Sequence, residues 1–459
     1  MATIDISPSK IHILAFPFPA KGHINPMLHL CNRLSAKDFR VTLITTASIF
    51  KSAKTKAIGS IKIECIPDDS DEPVEEDLKG FLARLRAAAS RGLEELVEKC
   101  RKTDPYPPRI VIYDSTMPWI LNLAHRVGLH GASFFTQSCA VCALYYHMDQ
   151  GTIQLPLDKS VTVKLPSMPA LESNDLPDLQ YFPDPDNVIT RTLLDQFSNI
   201  DKVDFILFNT FEELEDEVAT WMAERWPIKT VGPTAPLLFV DKRLENGNDQ
   251  QGNYLFETNA EACLKWLDER ETCSVVYVSF GSIAAPGEDQ IEEVAEALLR
   301  SNCKFLWVVR EEEESKLPKN FKSESSEQGL IINWCPQLEV LAHRAIACFV
   351  THCGWNSTIE ALSAGVPMIA APQWVDQTTN AKFIADVWQT GLRVKLNDKG
   401  FVGREEFEYC IREITGGERE KEIRRNAKKW KELAIQAVGE GGSSDRNLED
   451  FATSLLCLP

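Results

Sequence analysis

No stretch of 18 or more apolar residues occurs in this 459-residue chain, so a helix that spans a membrane is not expected. Nor does a cationic segment followed by an apolar one open it, which argues against a secretion leader and for a cytosolic protein. Positive charge is short as well: 49 Lys and Arg stand against 67 Asp and Glu, a formal net charge of -18. Such a surface repels phosphate, which argues against nucleic acid or an anionic membrane as a partner but leaves a local nucleotide site open. The 13 cysteines are scattered and odd in number, without the spacing of a disulfide framework, so reduced thiols are expected. Cys139 and Cys142 in TQSCAVCALYYH have redox or zinc spacing, yet no second pair or spaced histidine joins them. Their segment reads as an apolar helix, and buried packing is the expectation. Asn356-Ser357-Thr358 matches a glycosylation acceptor that a chain without a leader would not expose to the machinery. The first apolar strand runs into FPAKGHINP with no Gly-x-Gly-x-x-Gly, which argues against a nicotinamide dehydrogenase.

What is present is an ordinary globular composition, 44% hydrophobic and 25% charged, in a chain too long for one core. Strand-like and helix-like runs alternate in two series, the mark of parallel α/β sheets. The first holds strands at 11–16, 41–45, 61–66, 110–113, 132–135 and 205–209, with helices around 26–36, 78–101, 117–127 and 137–149. Proline and aspartate crowd 151–185, which marks a long loop. The polar stretch LENGNDQQGN suggests a linker, placed at 239–256, between a domain at 1–238 and another at 257–442. The charge-laced helices after Arg404 read as solvated faces.

The most informative stretch runs from Trp334 to Gln377, WCPQLEVLAHRAIACFVTHCGWNSTIEALSAGVPMIAAPQWVDQ. At its centre an apolar strand (Cys348, Phe349, Val350) leads through His352, Gly354, Asn356 and Ser357 into a helical pattern closed by Gly365 and Pro367. Gly354 lets backbone approach an anion, while Asn356, Ser357, His352 and the free N–H groups of the helix can donate to phosphate oxygens. Glu360 follows one turn later on the same face, where a carboxylate can accept from both ribose hydroxyls. Trp334 offers a flat ring for a base. The turn alone suits a capped α/β crossover equally well; the addition of Trp334, Glu360, Asp376 and Gln377 favours a nucleotide-sugar site.

This stretch resembles the signature box of plant UDP-dependent glycosyltransferases of family one, in length and in its terminal residues. The resemblance implies that Trp334 stacks on uracil, with the Cys335 backbone and Gln337 at the uracil or ribose. It implies that His352, Gly354, Asn356 and Ser357 hold the diphosphate, that Glu360 binds the ribose, and that Trp355, Asp376 and Gln377 read the sugar. Gly22 and, in the strand-turn VVYVSFGS, Ser282 join the donor set on the same grounds. A closing glutamine is associated with glucose, so UDP-glucose is the expected co-substrate, with no tightly bound cofactor. The implied architecture is GT-B, two Rossmann-like parallel-sheet domains facing a cleft, with a last helix at 443–459 crossing back onto the first domain.

Near the start, IHILAFPFPAKGHINP reads as a strand, a Pro/Gly loop to His23, and a helix from about Asn25-Pro26. A lone loop histidine usually caps a helix, and Asp114, at the end of the strand in RIVIYDSTMPW, would singly read as a cap. As a pair they fit a general base and its orienting carboxylate, which is what the family resemblance implies for them. The expected reaction is a direct displacement that inverts an α-linked donor to a β-glucoside on a small hydrophobic plant metabolite, such as a steroid, triterpenoid, phenolic or small acid. No metal is expected: the Asp-x-Asp pairs Asp69/Asp71 and Asp184/Asp186 sit in charged or proline-rich loops and read as surface turns. Phe18, Met117, Trp119, Gln137, Tyr145 and Trp374 are acceptor-pocket candidates that could equally be core. A monomer is expected. Three alternatives remain open: a different UDP-sugar donor, a UDP-sugar epimerase, or a catalytically silent UDP-sugar-binding protein.

Overall fold

Runs such as Val275–Ser279 and Ile346–Thr351 are buried at every position, without alternation, and this suits strands covered by helices on both faces. In a computed structural model, which describes residues 7–47, 57–68, 77–155, 162–177, 187–236, 260–397 and 400–458, such runs assemble into two sheets. The linker expected at 239–256 and both Asp-x-Asp pairs lie outside the described residues. None of the helices among the described residues is long and apolar enough to cross a membrane.

The first sheet contains β1 (His12–Phe16), β2 (Arg40–Thr46), β3 (Ala57–Ile58), β4 (Ile61–Ile66), β5 (Pro108–Asp114), β6 (His130–Phe135), β7 (Phe205–Phe208) and β8 (Ile228–Thr230). Their order is β3-β4-β2-β1-β5-β6-β7-β8, parallel except for the short β3–β4 pair. The second contains β9 (Val275–Ser279), β10 (Lys304–Val308), β11 (Gly329–Ile332), β12 (Ile346–Thr351), β13 (Met368–Ala370) and β14 (Gly391–Arg393), in the order β11-β10-β9-β12-β13-β14 and parallel throughout. Parallel strands need crossovers, and the helices between them cover both faces.

On one face of the first sheet the helix Lys21–Ser35 contributes Met27, Leu30 and Leu34, and the last helix, Ser443–Leu456, contributes Leu448, Phe451 and Leu455. The chain therefore ends on the sheet with which it began. Ser444 Oγ donates to the Gly232 carbonyl and Asn447 Nδ2 to the Thr230 carbonyl, which fixes that helix beside β8. The helix Leu78–Thr103 covers the opposite face with Leu85, Leu93 and Val97.

One helix start differs from the sequence expectation. The first helix begins at Lys21, not at Asn25-Pro26, so His23 lies in its first turn and not on a loop. Proline is tolerated near a helix start because the first N–H groups have no partner in any case, and Pro26 sits two residues deeper than that rule suggested. The helix Cys139–Asp149 is better capped than its sequence indicated. Both carboxylate oxygens of the buried Glu215 accept from the amides of Cys139 and Ala140, at 3.0 and 2.9 Å. Cys139 and Cys142 are fully buried within it as packing residues.

Phe451 is fully buried and meets Phe205 edge-on at 5.1 Å between ring centroids. Phe451→Ala should cost about 3–5 kcal/mol of stability, read as a fall in the urea midpoint. A change below about 1 kcal/mol would mean that the last helix is not part of this core.

Candidate active site

In parallel α/β sheets ligands gather at the carboxyl ends of the strands, and here the two sheets turn those ends toward one another. The end of β1 leads into the helix that carries His23, and β5 ends at Asp114. Asp114 is fully buried, so each oxygen needs a donor. Oδ2 takes His23 Nδ1 at 2.7 Å, and Oδ1 takes the Thr116 amide at 3.0 Å and its hydroxyl at 2.6 Å. Burial alone would raise the Asp114 carboxyl, but the facing imidazole and these donors outweigh it and hold the group below its ordinary range. For His23 burial pulls the imidazole down, and the charge and hydrogen bond of Asp114, aided by Asp376, carry it above its ordinary value. Thr136 Oγ1, just past β6, lies 3.2 Å from the same Nδ1. With Nδ1 held from two sides, Nε2 is the ring nitrogen left for the cleft.

Across the cleft β9 ends at Ser279 and β12 at Thr351, followed by His352. His352 is wedged between two glycines. A Cβ at Gly281 would come within 2.6 Å of the ring and one at Gly354 within 2.5 Å, and Gly281 also adopts a left-handed φ of 78°. Burial pushes the His352 imidazole down to about 4, so it stays neutral near the helix start. Gly354 caps the helix Trp355–Ala364 without a side chain, which leaves its first amides open toward the cleft. Among the described residues the buried Asn356 Oδ1 has no hydrogen-bond partner.

Glu360, in the same helix, accepts from Gln337 Nε2 at 2.8 Å, and burial raises its carboxyl to about 7. Gln337 also reaches Ser357 Oγ at 3.0 Å and takes the Tyr277 hydroxyl at 3.1 Å, so Tyr277, Gln337, Ser357 and Glu360 form one hydrogen-bonded network. The Lys21 ammonium lies 3.8 Å from the centroid of the Trp334 ring, a cation–π contact across the cleft. Burial raises Asp376 to about 6, while Asn380 Nδ2 donates to it at 2.9 Å. Gln377 Oε1 accepts from the amides of Gln373 and Trp374, at 2.9 and 3.2 Å, which leaves its amide hydrogens as the groups on offer.

Every residue assigned above to the donor, from Gly22 and Ser282 to Asp376 and Gln377, borders one cleft of ≈ 360 Å³ together with His23. Trp355 does so with its indole N–H already donated to the Asn209 carbonyl at 2.8 Å, so that group is not free to read a sugar. Of the acceptor candidates, Gln137, Tyr145 and Trp374 border the cleft. Met117, Trp119 and Phe18 do not. Met117 is fully buried in the core beneath the helix Leu78–Thr103, Trp119 packs on the same core beside Arg86, and Phe18 wedges between His23 and Phe81. Following a strand end was too loose a criterion, because a large apolar side chain there turns inward as readily as outward. Lys21, Thr136, Ile189 and Leu193 border the cleft and were missed. For Thr136 the signal was available, since it follows β6 as Thr116 follows β5.

Residues 262–423 match the family model described as UDP-glucoronosyl and UDP-glucosyl transferase, and residues 9–65 match the glycosyltransferase N-terminal domain. UDP glycosyltransferase 9 of Catharanthus roseus is 57% identical over an alignment of 473 positions, gaps included, that covers 99% of this chain and 100% of that protein. Mogroside I-E synthase of Siraitia grosvenorii is 46% identical over 448 residues, 97% of this chain and 98% of that one. The crystal structure of Os79 from O. sativa in complex with UDP superposes with a TM-score of 0.88 at 35% identity, over 96% of this chain and 100% of that chain. Phytolacca americana UGT2 complexed with UDP-2fluoro-glucose and pterostilbene gives 0.82 at 25% identity, over 97% and 99%.

The His23–Asp114 contact makes a prediction that needs no substrate. In an NMR titration of nitrogen-labelled histidine, His23 should keep its proton to higher pH than a free histidine, and Asp114→Asn should bring its midpoint down. An unchanged midpoint in the variant would mean that Asp114 does not set the charge on the ring.

Proposed function

The chain belongs to the plant family of UDP-dependent glycosyltransferases, enzymes that move a sugar from a UDP-sugar to a small metabolite, and we propose that it transfers glucose from UDP-glucose with inversion at the anomeric carbon. The observation that carries the reading is the 2.7 Å contact of His23 Nδ1 with buried Asp114, on the wall of the cleft that faces the Trp334–Gln377 box. In this reading residues 257–442 hold the donor, and residues 1–238 with the last helix hold the acceptor. Nε2 of His23 takes the acceptor hydroxyl proton, the oxygen bonds to the anomeric carbon, and the bond from that carbon to the phosphate oxygen breaks on the opposite side. Asp114 stabilises the imidazolium that forms. Negative charge grows on UDP as it leaves, so donors at Ser282, His352, Asn356, Ser357 and the open helix amides strengthen toward the transition state. The scheme uses no metal ion.

The glucose assignment is supported by Asp376 and Gln377 at the cleft. Ile189, Leu193, Tyr145, Trp374 and Val375 line its acceptor side and suit an apolar metabolite with one nucleophilic oxygen. All 13 cysteines are free thiols, which fits a reducing compartment, and we assign the reaction to the cytosol.

The decisive assay incubates the enzyme with UDP-glucose and a panel of plant alcohols, phenols and carboxylic acids, and reads the mass gain of one hexose. Wild type should glucosylate at least one class, and release of an epimerised sugar nucleotide instead would overturn the reading. His23→Ala should lose about 100- to 10,000-fold with an alcohol acceptor and much less with an acid, whose oxygen is already ionised. Equal losses with both would remove His23 from the role of base.

Glu360 supplies a pH test of the donor half. A carboxylate accepts from ribose hydroxyls and a carboxylic acid does so poorly, and burial holds this group protonated up to about 7. UDP affinity measured calorimetrically should therefore weaken as pH falls through 7, approaching about tenfold per pH unit, and Glu360→Gln should abolish that limb. A limb that persists in the variant would assign it to another group.

A further inference from the structure

The helix Gln377–Lys382 begins with the residues assigned to the sugar, yet its opposite side rests on a segment from the other half of the chain. Residues 173–175 form a short turn in the loop region after the helix Cys139–Asp149. Asp175 in this turn is buried, and its carboxylate accepts from the Glu172 amide at 3.0 Å and from Arg393 Nη1 at 2.6 Å, with Lys382 Nζ at 3.4 Å. Lys382 ends the sugar-side helix, and Arg393 ends β14. The backbone makes the same connection. Thr379 Oγ1 donates to the Asp175 carbonyl at 2.7 Å, Thr378 Oγ1 to the Leu176 carbonyl at 2.6 Å, and Arg393 Nη2 to the Asn174 carbonyl at 2.6 Å.

Four side chains of the donor half, Thr378, Thr379, Lys382 and Arg393, thus converge on one turn of the acceptor half, and the two cations among them share the Asp175 carboxylate, Lys382 pairing also with Asp386 at 2.8 Å. The helix has reason to need this seat. Val375, immediately before Asp376, is β-branched and held at a φ of 56°, a left-handed conformation such residues avoid. A strained residue keeps its backbone only where its surroundings fix both sides. Upstream, Gln377 Oε1 ties down the Gln373 and Trp374 amides. Downstream, the Asp175 turn holds the helix. Leu176 packs in the same buried cluster as Tyr145 and Val375, so the seat is continuous with the acceptor wall.

We propose that Asp175 is a positioning residue for sugar recognition: by fixing the helix Gln377–Lys382 through Arg393 and Lys382, it sets where Asp376 and Gln377 meet the sugar hydroxyls, without touching the sugar itself. The proposal rests on the UDP-glucose reading. It separates the sugar contacts from the UDP contacts, because Trp334, Gln337, His352 and Glu360 precede this helix and share no hydrogen bond or ion pair with Asp175.

Calorimetry with UDP, UDP-glucose and UDP-galactose, without acceptor, tests it in wild type, Asp175→Ala, Asp175→Asn and Arg393→Ala. Asp175→Ala should bind UDP within about twofold of wild type while its preference for UDP-glucose over UDP-galactose falls by about tenfold, the scale of one lost polar contact. Asp175→Asn, which keeps the bond to the Glu172 amide and loses the charge, should fall between. The double variant Asp175→Ala/Arg393→Ala should lose no more preference than either single variant, because each removes the same lock. A preference that is unchanged while UDP binding is intact overturns the proposal, and so does UDP affinity that falls in step with preference, which would mark a general loss of structure. A wild type that binds UDP but does not favour UDP-glucose would instead overturn the donor reading.

Discussion

A carboxylate with no access to water is the constraint around which the candidate active site is built. Asp114 is delivered by β5 to the inner end of the first sheet, and a buried charge is tolerable only with its hydrogen bonds filled. Thr116 fills one side and His23 the other, so the stability of the fold and the aim of the histidine rest on one contact. Because β1 and β5 are adjacent parallel strands, their carboxyl ends bring two residues 91 positions apart into hydrogen-bond range without any special loop. The raised affinity of His23 for a proton follows from the same placement, and in the proposed mechanism a base that holds its proton more firmly accepts one from an alcohol more readily.

The donor half is arranged by a different device. There the strand end supplies space more than charge, with glycines at 281 and 354 on either side of the His352 ring. The two halves meet through polar contacts as well as apolar ones. Trp355 and Trp388 donate their indole N–H groups to the Asn209 and Leu214 carbonyls, and Ala140, Phe211 and Leu214 of the first half share a buried cluster with Ile359 and Trp388 of the second. Such an interface keeps the cleft walls in register, which the proposed displacement between two separately bound molecules would require.

Much of this was legible in the sequence because it depends on short-range pattern. The order of strands and helices follows from apolar runs that end in polar residues, the donor box and the His23–Asp114 pair drew their roles from the family resemblance as well, and the final helix begins at Ser443, just past its Gly-Gly break. The start of the first helix was misplaced because Pro26 reads as an N-terminal signal, while the helix extends one turn further back with no side-chain cap to mark it. The placement of Met117, Trp119 and Phe18 away from the cleft lining has another cause. Whether Met117 or Tyr145 faces a cavity depends on helices packed from distant parts of the chain, and no local pattern carries that. The seat under the sugar-side helix was invisible for the same reason, since Asp175 lies 218 positions from Arg393 and in a stretch that reads as plain loop.

Pro26 has a consequence for joining halves of different relatives. An ordinary residue at that position would direct its amide at the Gly22 carbonyl one turn earlier. Proline has no such amide, and the Gly22 carbonyl instead accepts from Asn356 Nδ2 of the donor half, one residue before His23. The gap in the helix ladder is therefore half of a seam, and the matching half lies more than three hundred residues away. A chimaera built from this first half and a foreign second half keeps the seam closed only if its partner presents an amide at the place of Asn356. The choice of crossover point is thereby set by a missing hydrogen atom as much as by any residue that is present.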